Sequence, residues 1–301
     1  MEMGNIMKKM TSFDKKVKDY YDKYWSIQMQ KNNENLNLGF HFGFYERGIT
    51  NWKEAVLNMN DFVGKLIGLN NNKKMEILDA GSGDGSVSNY LAIKFPNVNF
   101  TGVTLSPKGV ELARKMKKEK HINNVKFIVG NYNATGFPDS SFDGVFAIES
   151  SSYTQNKIDF IHEMYRVLKP GGKIVISDGF LINDIPLNSF MKKAYLLFLK
   201  KRGLSDFVSI RNFESYLKSQ EFKEINIRNI TKNFRYYYLS KDFFIYIFRF
   251  ISRYFKKFLK YKENESIREF NELKGIVFIE FLLGLTSKIN YYIITAVKKK
   301  M

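Results

Sequence analysis

The chain has 301 residues, of which 44% are hydrophobic and 26% charged, and its mean hydropathy is −0.31. This is typical of one large globular domain with additional segments. The absence of cysteine excludes disulfides, thiolate zinc sites and cysteine nucleophiles, and with three histidines we expect no metal site. The N-terminus lacks the apolar stretch of a secretory signal, and the most apolar run, 276–285, is far shorter than the roughly 20 residues of a membrane span. We therefore expect a cytoplasmic protein.

The formal net charge is +18, and much of it lies near the C-terminus. Residues 231–301 contain fifteen lysines and arginines against six acidic residues, together with 18 aromatic side chains. Within this segment, residues 242–262 predict a helix with one apolar and one basic stripe. Such a helix could cap an apolar pocket or lie on a membrane surface, and we favour the cap. The charge also suits a membrane surface, an anionic substrate or nucleic acid as a partner.

The most informative stretch is 77–85, Ile-Leu-Asp-Ala-Gly-Ser-Gly-Asp-Gly. A short apolar run ends at Asp79, three glycines follow at alternate positions (Gly81, Gly83 and Gly85), and a helical pattern then begins. Glycine permits a positive φ and a close approach of the backbone to a ligand. The N-terminus of the following helix offers unpaired N–H groups and a partial positive charge. This strand–turn–helix unit predicts a site for a nucleotide-like ligand or a carboxylate.

Residues 73–180 alternate between apolar strands and helices, which predicts a Rossmann-like α/β core with a doubly wound, mostly parallel sheet. Residues 1–72 predict a helical N-terminal lid, and 181–220 a helical insertion. Residues 221–301 are expected to complete the sheet with an antiparallel last strand and to carry a basic, aromatic helical cap at about 236–288. The expected strands are 75–79, 98–104, 125–130, 142–149, 172–178, 222–230 and 291–297.

Several of these segments resemble one known family. The turn is G-x-G-x-G with an acid two residues before the first glycine, whereas the dinucleotide fingerprint is G-x-G-x-x-G with an acid about 20 residues later. This form resembles the first motif of class I S-adenosylmethionine-dependent methyltransferases. Segments 38–45, 102–107, 136–143 and 168–172 resemble motifs of the branch that holds tocopherol, sterol, mycolic-acid and geranyl-diphosphate methyltransferases. The resemblance implies S-adenosylmethionine as the cofactor.

The resemblance also implies which residues surround that cofactor. Asp79 would lie near the methionine amino group, with the three glycines passing beneath the cofactor. Many members carry Gln where this chain has Gly109, so the hydroxyls of Thr104 and Ser106 would contact the ribose instead. Many carry an acid where it has Asn131, whose side-chain oxygen can still accept a hydrogen bond from adenine. The remaining implied cofactor contacts are Tyr21, Tyr132 and Glu149.

Three residues are candidates for catalysis. Glu149 follows the fourth predicted strand, beside the expected place of the cofactor's sulfur. It could act as a base or stabilise a cation, or equally bind the cofactor or its own loop. His41 could act in acid–base chemistry or belong to a lid over the cofactor, and Tyr153 could cap the site, donate a hydrogen bond or simply pack. Asp178, at the end of the fifth strand, is expected to cap the next turn.

The leading hypothesis is a methyltransferase for a small, apolar, isoprenoid- or lipid-like acceptor, because the aromatic-rich insertions could wall an apolar pocket. A polar-metabolite O- or N-methyltransferase is the alternative. Nucleic-acid methylation is disfavoured because the fourth strand ends in Ile-Glu-Ser-Ser-Ser and not in an Asn/Asp-Pro-Pro-aromatic turn. The intact Asp79 and glycines argue against a catalytically silent binding module. Peripheral contact of the basic segment with an anionic membrane is a further hypothesis.

Overall fold

A computed structural model describes residues 10–30, 38–183, 192, 195–196, 199–200, 203–234 and 288–300. It contains a seven-stranded sheet in the order β3-β2-β1-β4-β5-β7-β6. The strands β1 to β5 are parallel to one another, and β7 runs antiparallel between β5 and β6. This confirms the predicted Rossmann-like α/β class. The strands are β1 Met75–Ala80, β2 Val98–Thr104, β3 Val125–Val129, β4 Phe142–Ile148, β5 Leu168–Leu181, β6 Phe222–Asn229 and β7 Ile289–Lys298.

Helix ends are set by capping residues that the sequence places next to them. Asn51 caps one helix by accepting a hydrogen bond from the Glu54 amide at 2.9 Å. The same helix ends at Gly68, whose φ of 88° is left-handed. Among the described residues, no helix is long and apolar enough to cross a bilayer. The helices are α1 Ser12–Gln30, α2 Trp52–Ile67, α3 Ser86–Lys94, α4 Pro107–Glu119, α5 Lys157–Val167 and α6 Ile210–Ser219, with a 3₁₀ turn at Ser151–Tyr153.

The sheet is buried on both faces because helices cover each of them. Successive strand residues point to opposite faces, so Ile77 packs in the cluster that includes α2, α3 and α4, and Leu78 in the cluster that includes α5 and α6. The same alternation separates Tyr291 from Tyr292 on β7. Near-continuous apolar runs such as those of β1 and β4 are the expected pattern for parallel strands buried on both sides.

The predicted strands match the observed ones closely except at β5. Residues 168–172 were expected to be a loop, but they belong to the strand, and a register shift against β4 between Phe142 and Gly144 accommodates them. At its other end β5 extends to Leu181 because β7 pairs with it from residue 173 to residue 181. Within 181–220, the described part is helical at 192, 195–196, 199–200 and α6, whereas 203–208 is not helical. The predicted cap at 236–288 and helix at 242–262 lie outside the described residues, apart from residue 288.

Gly85 should matter for folding through its contacts with helix α4. Its φ is 75°, and a Cβ there would lie 2.4 Å from Ala113 Cβ and 2.7 Å from the Phe127 ring. Gly68 also has a positive φ, 88°, but a Cβ there would meet none of the described residues within 4 Å. We expect Gly68→Ala to lower the free energy of unfolding by about 1–2 kcal/mol, and Gly85→Ala to lower it by a further 1–3 kcal/mol or so. Urea unfolding of both variants measures the difference, and equal losses would contradict this account.

Candidate active site

A cavity of about 720 Å³, including its opening to solvent, lies at the carboxyl ends of β1, β2 and β4. In a doubly wound sheet this edge, where the strand order reverses beside β1, is where ligands bind. The lid helix α1 and residues 40–41 form the opposite wall. The lining residues are Val17, Lys18, Tyr21, Trp25, Phe40, His41, Asp79, Gly81, Ser82, Gly83, Asp84, Val87, Thr104, Leu105, Ser106, Tyr132, Phe146, Ile148, Glu149, Ser150 and Tyr153.

Ten of the twelve predicted site residues line this cavity, and Gly85 and Asn131 do not. Gly85 precedes α3 and faces Ala113 and Phe127, as described above. The side chain of Asn131 is engaged at both ends: Nδ2 donates to Asp14 Oδ2 at 3.2 Å, and Oδ1 accepts from the Asn133 amide at 2.9 Å. Asn131 therefore links the lid helix to the loop after β3.

The glycine turn approaches its neighbours so closely that side chains have little room. At Gly81, where φ is 101°, a Cβ would lie 2.3 Å from Ser150 Cβ. At Gly83, where φ is 53°, a Cβ would meet one neighbour within 4 Å in the part of the chain that the structure describes, Trp25 Cζ2 at 3.4 Å. The first glycine thus permits packing of the turn against the loop after β4, while the second exposes backbone to the cavity beneath Trp25.

Two buried carboxyl groups flank this turn. Burial is the main cause that raises the pKa of Asp79 to about 7, against a hydrogen bond from Ser88 Oγ at 2.6 Å. Burial likewise raises the pKa of Asp84 to about 6, although the Ser86 amide donates to it at 3.2 Å. A cationic ligand group in the cavity would offset the cost of ionising these acids. Asp84 was not predicted as a site residue, although it lies within the glycine motif.

The residues present fit S-adenosylmethionine, which carries an ammonium group, a carboxylate, ribose hydroxyls and a purine. Among the described residues, two buried polar atoms on the cavity wall have no hydrogen-bond partner in the protein: Ser82 Oγ and Trp25 Nε1. Buried groups of this kind are normally satisfied, so both are available to a ligand. The open backbone at Gly83 and the buried Asp79 carboxyl complete a cradle suited to such a molecule.

Glu149 is one of the residues that line the cavity. It adopts a left-handed φ of 49° directly after β4, and its amide donates to the Ser177 carbonyl at 2.8 Å. Its Oε1 accepts a hydrogen bond from the Phe42 amide at 2.5 Å and another from the Tyr291 hydroxyl at 2.8 Å. The carboxylate therefore joins the lid to the last strand of the sheet, and neither Phe42 nor Tyr291 was predicted as a partner.

His41 is held by the protein at both ring nitrogens. Nε2 lies 2.8 Å from Asn60 Oδ1, and Nδ1 lies 2.9 Å from the Phe42 carbonyl oxygen. Asn60 Nδ2 donates to the Leu38 carbonyl at 3.1 Å, which fixes the orientation of its amide. Burial is the main cause that lowers the pKa of His41 below its ordinary value. Of its two predicted roles, this geometry favours that of holding the lid.

The lid helix α1 is anchored by acids at two neighbouring loops. Asp14 forms a reciprocal capping box with Thr11, with distances of 2.9 and 3.1 Å, and also accepts the hydrogen bond from Asn131. Further along the same helix, Asp22 Oδ1 accepts a hydrogen bond from Ser106 Oγ at 2.5 Å and another from the Lys108 amide at 3.3 Å. The Thr11-x-x-Asp14 spacing could have been recognised in the sequence, whereas the partners of Asp22 could not.

Aromatic rings and a second polar network complete the walls. The ring of Tyr21 meets Tyr153 edge to face at 5.2 Å and stacks with Trp25 at 6.2 Å. Asp178 accepts hydrogen bonds from Ser151 Oγ at 2.7 Å and from the Ser152 amide at 2.9 Å, so it caps the turn after β4 and not, as expected, the turn that follows its own strand. In the described segments no cluster of histidine and acidic side chains is arranged to hold a metal ion.

Known proteins resemble this chain in sequence and in fold. A family model described as a methyltransferase domain matches residues 71–237. The 2-methyl-6-phytyl-1,4-hydroquinone methyltransferase of Synechocystis is 34% identical over 145 residues, 48% of this chain and 45% of the relative. The sterol 24-C-methyltransferase erg-4 of Neurospora crassa is 26% identical over 189 residues, 62% of this chain and 49% of the relative. The chain thus spans about half the length of these relatives.

Among solved structures, geranyl diphosphate C-methyltransferase from Streptomyces coelicolor, in complex with geranyl diphosphate and S-adenosylhomocysteine, has a TM-score of 0.70. Its sequence identity is 17%, with 96% of this chain and 98% of that chain covered, and at this identity the likeness concerns the fold. Because the family model covers more than half of the chain, the chain belongs to the methyltransferase-domain family. The resemblance inferred from the glycine motif and the later segments is confirmed.

Asp79 should make the stability of the ligand-free protein depend on pH. Its pKa rises from 3.8 to about 7 on folding. Between these values the folded state keeps a proton that the unfolded state has released, so the free energy of unfolding falls as pH rises through this window. We expect Asp79→Asn to reduce that fall up to about pH 7. In Asp84→Asn the effect should end lower, because the pKa of Asp84 reaches about 6. Urea unfolding across this range measures it, and an unchanged pH dependence in Asp79→Asn would refute the assignment.

Proposed function

We propose that this chain transfers a methyl group from S-adenosylmethionine to a small, largely apolar acceptor of isoprenoid or lipid character. One observation carries the proposal. A single cavity is lined by the glycine turn and the buried Asp79, and also by Glu149 and the rings of Tyr21 and Tyr153. The first group of residues suits the cofactor, and the second suits an apolar acceptor with a carboxylate within reach.

The cofactor half of the proposal assigns a task to several residues that line the cavity. When bound, S-adenosylmethionine supplies a methyl group on a positively charged sulfur, already activated for in-line displacement. Asp79 offers a carboxylate to the ligand's ammonium group, and ionisation of this acid would accompany binding. Ser82 and Trp25 offer the buried polar atoms that lack protein partners. Thr104, at the end of β2, offers its hydroxyl for the ribose, and Ser106 lies beside it with its own hydroxyl bonded to Asp22 and to the Gly109 amide.

The acceptor half rests on the aromatic wall and on the relatives. Tyr21, Trp25, Phe40, Phe146 and Tyr153 give the cavity large apolar surfaces, which contribute most of the binding free energy of an apolar ligand. The two curated relatives described above are named for a phytylated hydroquinone and a sterol, and the structural neighbour described with them for geranyl diphosphate. All three acceptors are isoprenoids, so we assign an acceptor of this class here.

Glu149 is proposed to act on the acceptor side. With two hydrogen-bond donors on Oε1, the carboxylate is stabilised in its charged form. An anion here would stabilise positive charge that develops on an acceptor carbon, or accept a proton that the acceptor loses. Tyr153 would shape the same wall, while His41 supports the lid that contacts Glu149.

The cofactor assignment predicts a specific loss of binding in Gly83→Val. A branched side chain at this position would enter the cavity beneath Trp25. We expect calorimetry to show tight binding of S-adenosylhomocysteine, but not of NAD, to the unmodified protein and no binding to Gly83→Val. Gly48→Val is the matched control, because Gly48 also has a positive φ, 95°, and a Cβ there would meet no atom of the described residues within 4 Å. Binding of NAD alone would remove the cofactor assignment.

The acceptor assignment is tested by incubating the protein with methyl-labelled S-adenosylmethionine and lipid or polar cell extracts. We expect the label in the lipid fraction, on isoprenoid molecules identified by mass spectrometry. Glu149→Gln should reduce labelling by on the order of 10²-fold while the affinity for S-adenosylhomocysteine stays unchanged. Label confined to the polar fraction would replace this acceptor class with a polar metabolite.

We further propose that the basic, aromatic segment 231–301 draws the protein to anionic membrane surfaces, where an apolar acceptor is dissolved. The support is compositional, since this segment combines fifteen cationic residues with many aromatic ones. Neutralising Arg253, Lys256, Lys257 and Lys260 should weaken sedimentation with anionic vesicles at low salt and leave binding of S-adenosylhomocysteine intact. No association of the unmodified protein with such vesicles would exclude membrane contact, and a salt-dependent gel shift with RNA is the control for nucleic acid.

A further inference from the structure

Tyr291, on the last strand of the sheet, contacts a residue that lines the cavity, Glu149. Its hydroxyl donates to Glu149 Oε1 at 2.8 Å and also lies 3.4 Å from the Ser177 carbonyl oxygen. The Phe42 amide donates to the same carboxylate oxygen at 2.5 Å. Two donors, one from the lid and one from β7, therefore converge on one oxygen of the carboxylate.

The ring of Tyr291 is fixed in place by its neighbours. It is 7% exposed, stacks on Phe234 with ring centres 5.3 Å apart and planes 3° apart, and meets Phe42 edge to face at 6.3 Å. Burial first, and then the charge of Glu149, raise the pKa of Tyr291 well above its ordinary value. The phenol therefore remains protonated at neutral pH and is a hydrogen-bond donor to the carboxylate.

We propose that Tyr291 is the positioning residue of Glu149: its hydroxyl keeps the carboxylate ionised and directs it into the cavity. A donor that bonds to the charged form of an acid favours that form. The left-handed backbone of Glu149 fixes where its side chain begins, and Tyr291 and Phe42 together fix where one of its oxygens lies. The catalytic value of this arrangement rests on the proposed function of Glu149, whereas the electrostatic coupling of the two side chains does not.

Other titratable groups also face this region and must be followed in any test. His41 lies on the lid loop beside Phe42, and Asp178 lies within β5, opposite Tyr292, and contributes to the pKa of Tyr291. Asp79 and Asp84 lie on the glycine turn, and Lys18 on α1. The variants chosen below alter none of these groups, so a change in the titration of Glu149 has to come from Tyr291.

The chain offers a matched pair of variants, Tyr291→Phe and Tyr292→Phe. Both tyrosines are buried on β7, but they face opposite sides of the sheet, and Tyr292 packs in the cluster that includes α5 and α6. Each change removes one hydroxyl and keeps the ring, so stacking on Phe234 survives in Tyr291→Phe. Unfolding temperatures are measured first. If Tyr291→Phe does not fold, Tyr291→Met replaces it, because it fills apolar space without a hydroxyl.

The test follows the carboxyl carbon of Glu149 by NMR in the full chain labelled with ¹³C-glutamate, with its signal assigned from its absence in Glu149→Gln. In Tyr291→Phe the midpoint of this titration should move to higher pH by about one unit, while Tyr292→Phe leaves it in place. Superimposable curves for Tyr291→Phe and the unmodified protein, or equal shifts in both variants, would overturn the proposal.

Two further measurements separate this inference from the proposed function. Calorimetry with S-adenosylhomocysteine should give the same affinity for both variants and the unmodified protein. Labelling of the lipid fraction should fall by roughly tenfold in Tyr291→Phe and recover as pH rises, because ionisation is what the variant impairs. The titration of Glu149 could shift in Tyr291→Phe while neither the unmodified protein nor any variant labels an acceptor. That result would support the coupling of the two side chains and reject the methyltransferase role. Labelling that is lost in Glu149→Gln but unchanged in Tyr291→Phe would reject the positioning role.

Discussion

The close approach of backbone segments around the glycine turn is the constraint on which the rest of the site depends. At Gly81 a Cβ would collide with Ser150, at Gly85 with Ala113, and at Gly109 with the carbonyl oxygen of Gly83, at distances of 2.3 to 2.4 Å. Interiors are packed as densely as crystals, so these positions tolerate no side chain unless the strands, helix α4 and the loop after β4 move apart. The resulting compact turn leaves backbone at Gly83 open to the cavity, at the edge where the strand order reverses.

A second set of contacts, all long-range, attaches the lid to this core. Asp14 and Asp22 join α1 to the loops after β3 and β2, and the Phe42 amide joins the lid loop to Glu149. Hydrogen bonds to carboxylates are stronger than those between neutral groups. The lid is therefore held mainly by acids that meet donors across the mouth of the cavity, and the proposed cofactor and acceptor walls belong to one connected structure.

Three residues near the cavity have contacts that the sequence did not predict. Gly109 was interpreted as the loss of a ribose-binding side chain, but in the structure a Cβ there would lie 2.3 Å from Gly83 O, so no side chain fits. Asn131 was expected at the adenine and is bonded to Asp14 and Asn133. His41 was considered for acid–base chemistry and is held at both ring nitrogens. In each case the residue type was informative, but at least one partner lay many positions away in the chain and left no local pattern.

The sequence by itself determined the parts of this protein that depend on neighbours along the chain. Apolar runs specified the strands, capping residues such as Asn51 and Ser106 specified helix ends, and the Asp79 to Gly85 motif specified both the ligand edge and the family. The tertiary structure alone decided which side chains meet in the cavity. Tyr291 reaches Glu149 across 142 positions because β7 inserts antiparallel between β5 and β6. Such contacts depend on strand order and on the face to which each residue points, and neither is encoded in any short segment of the chain.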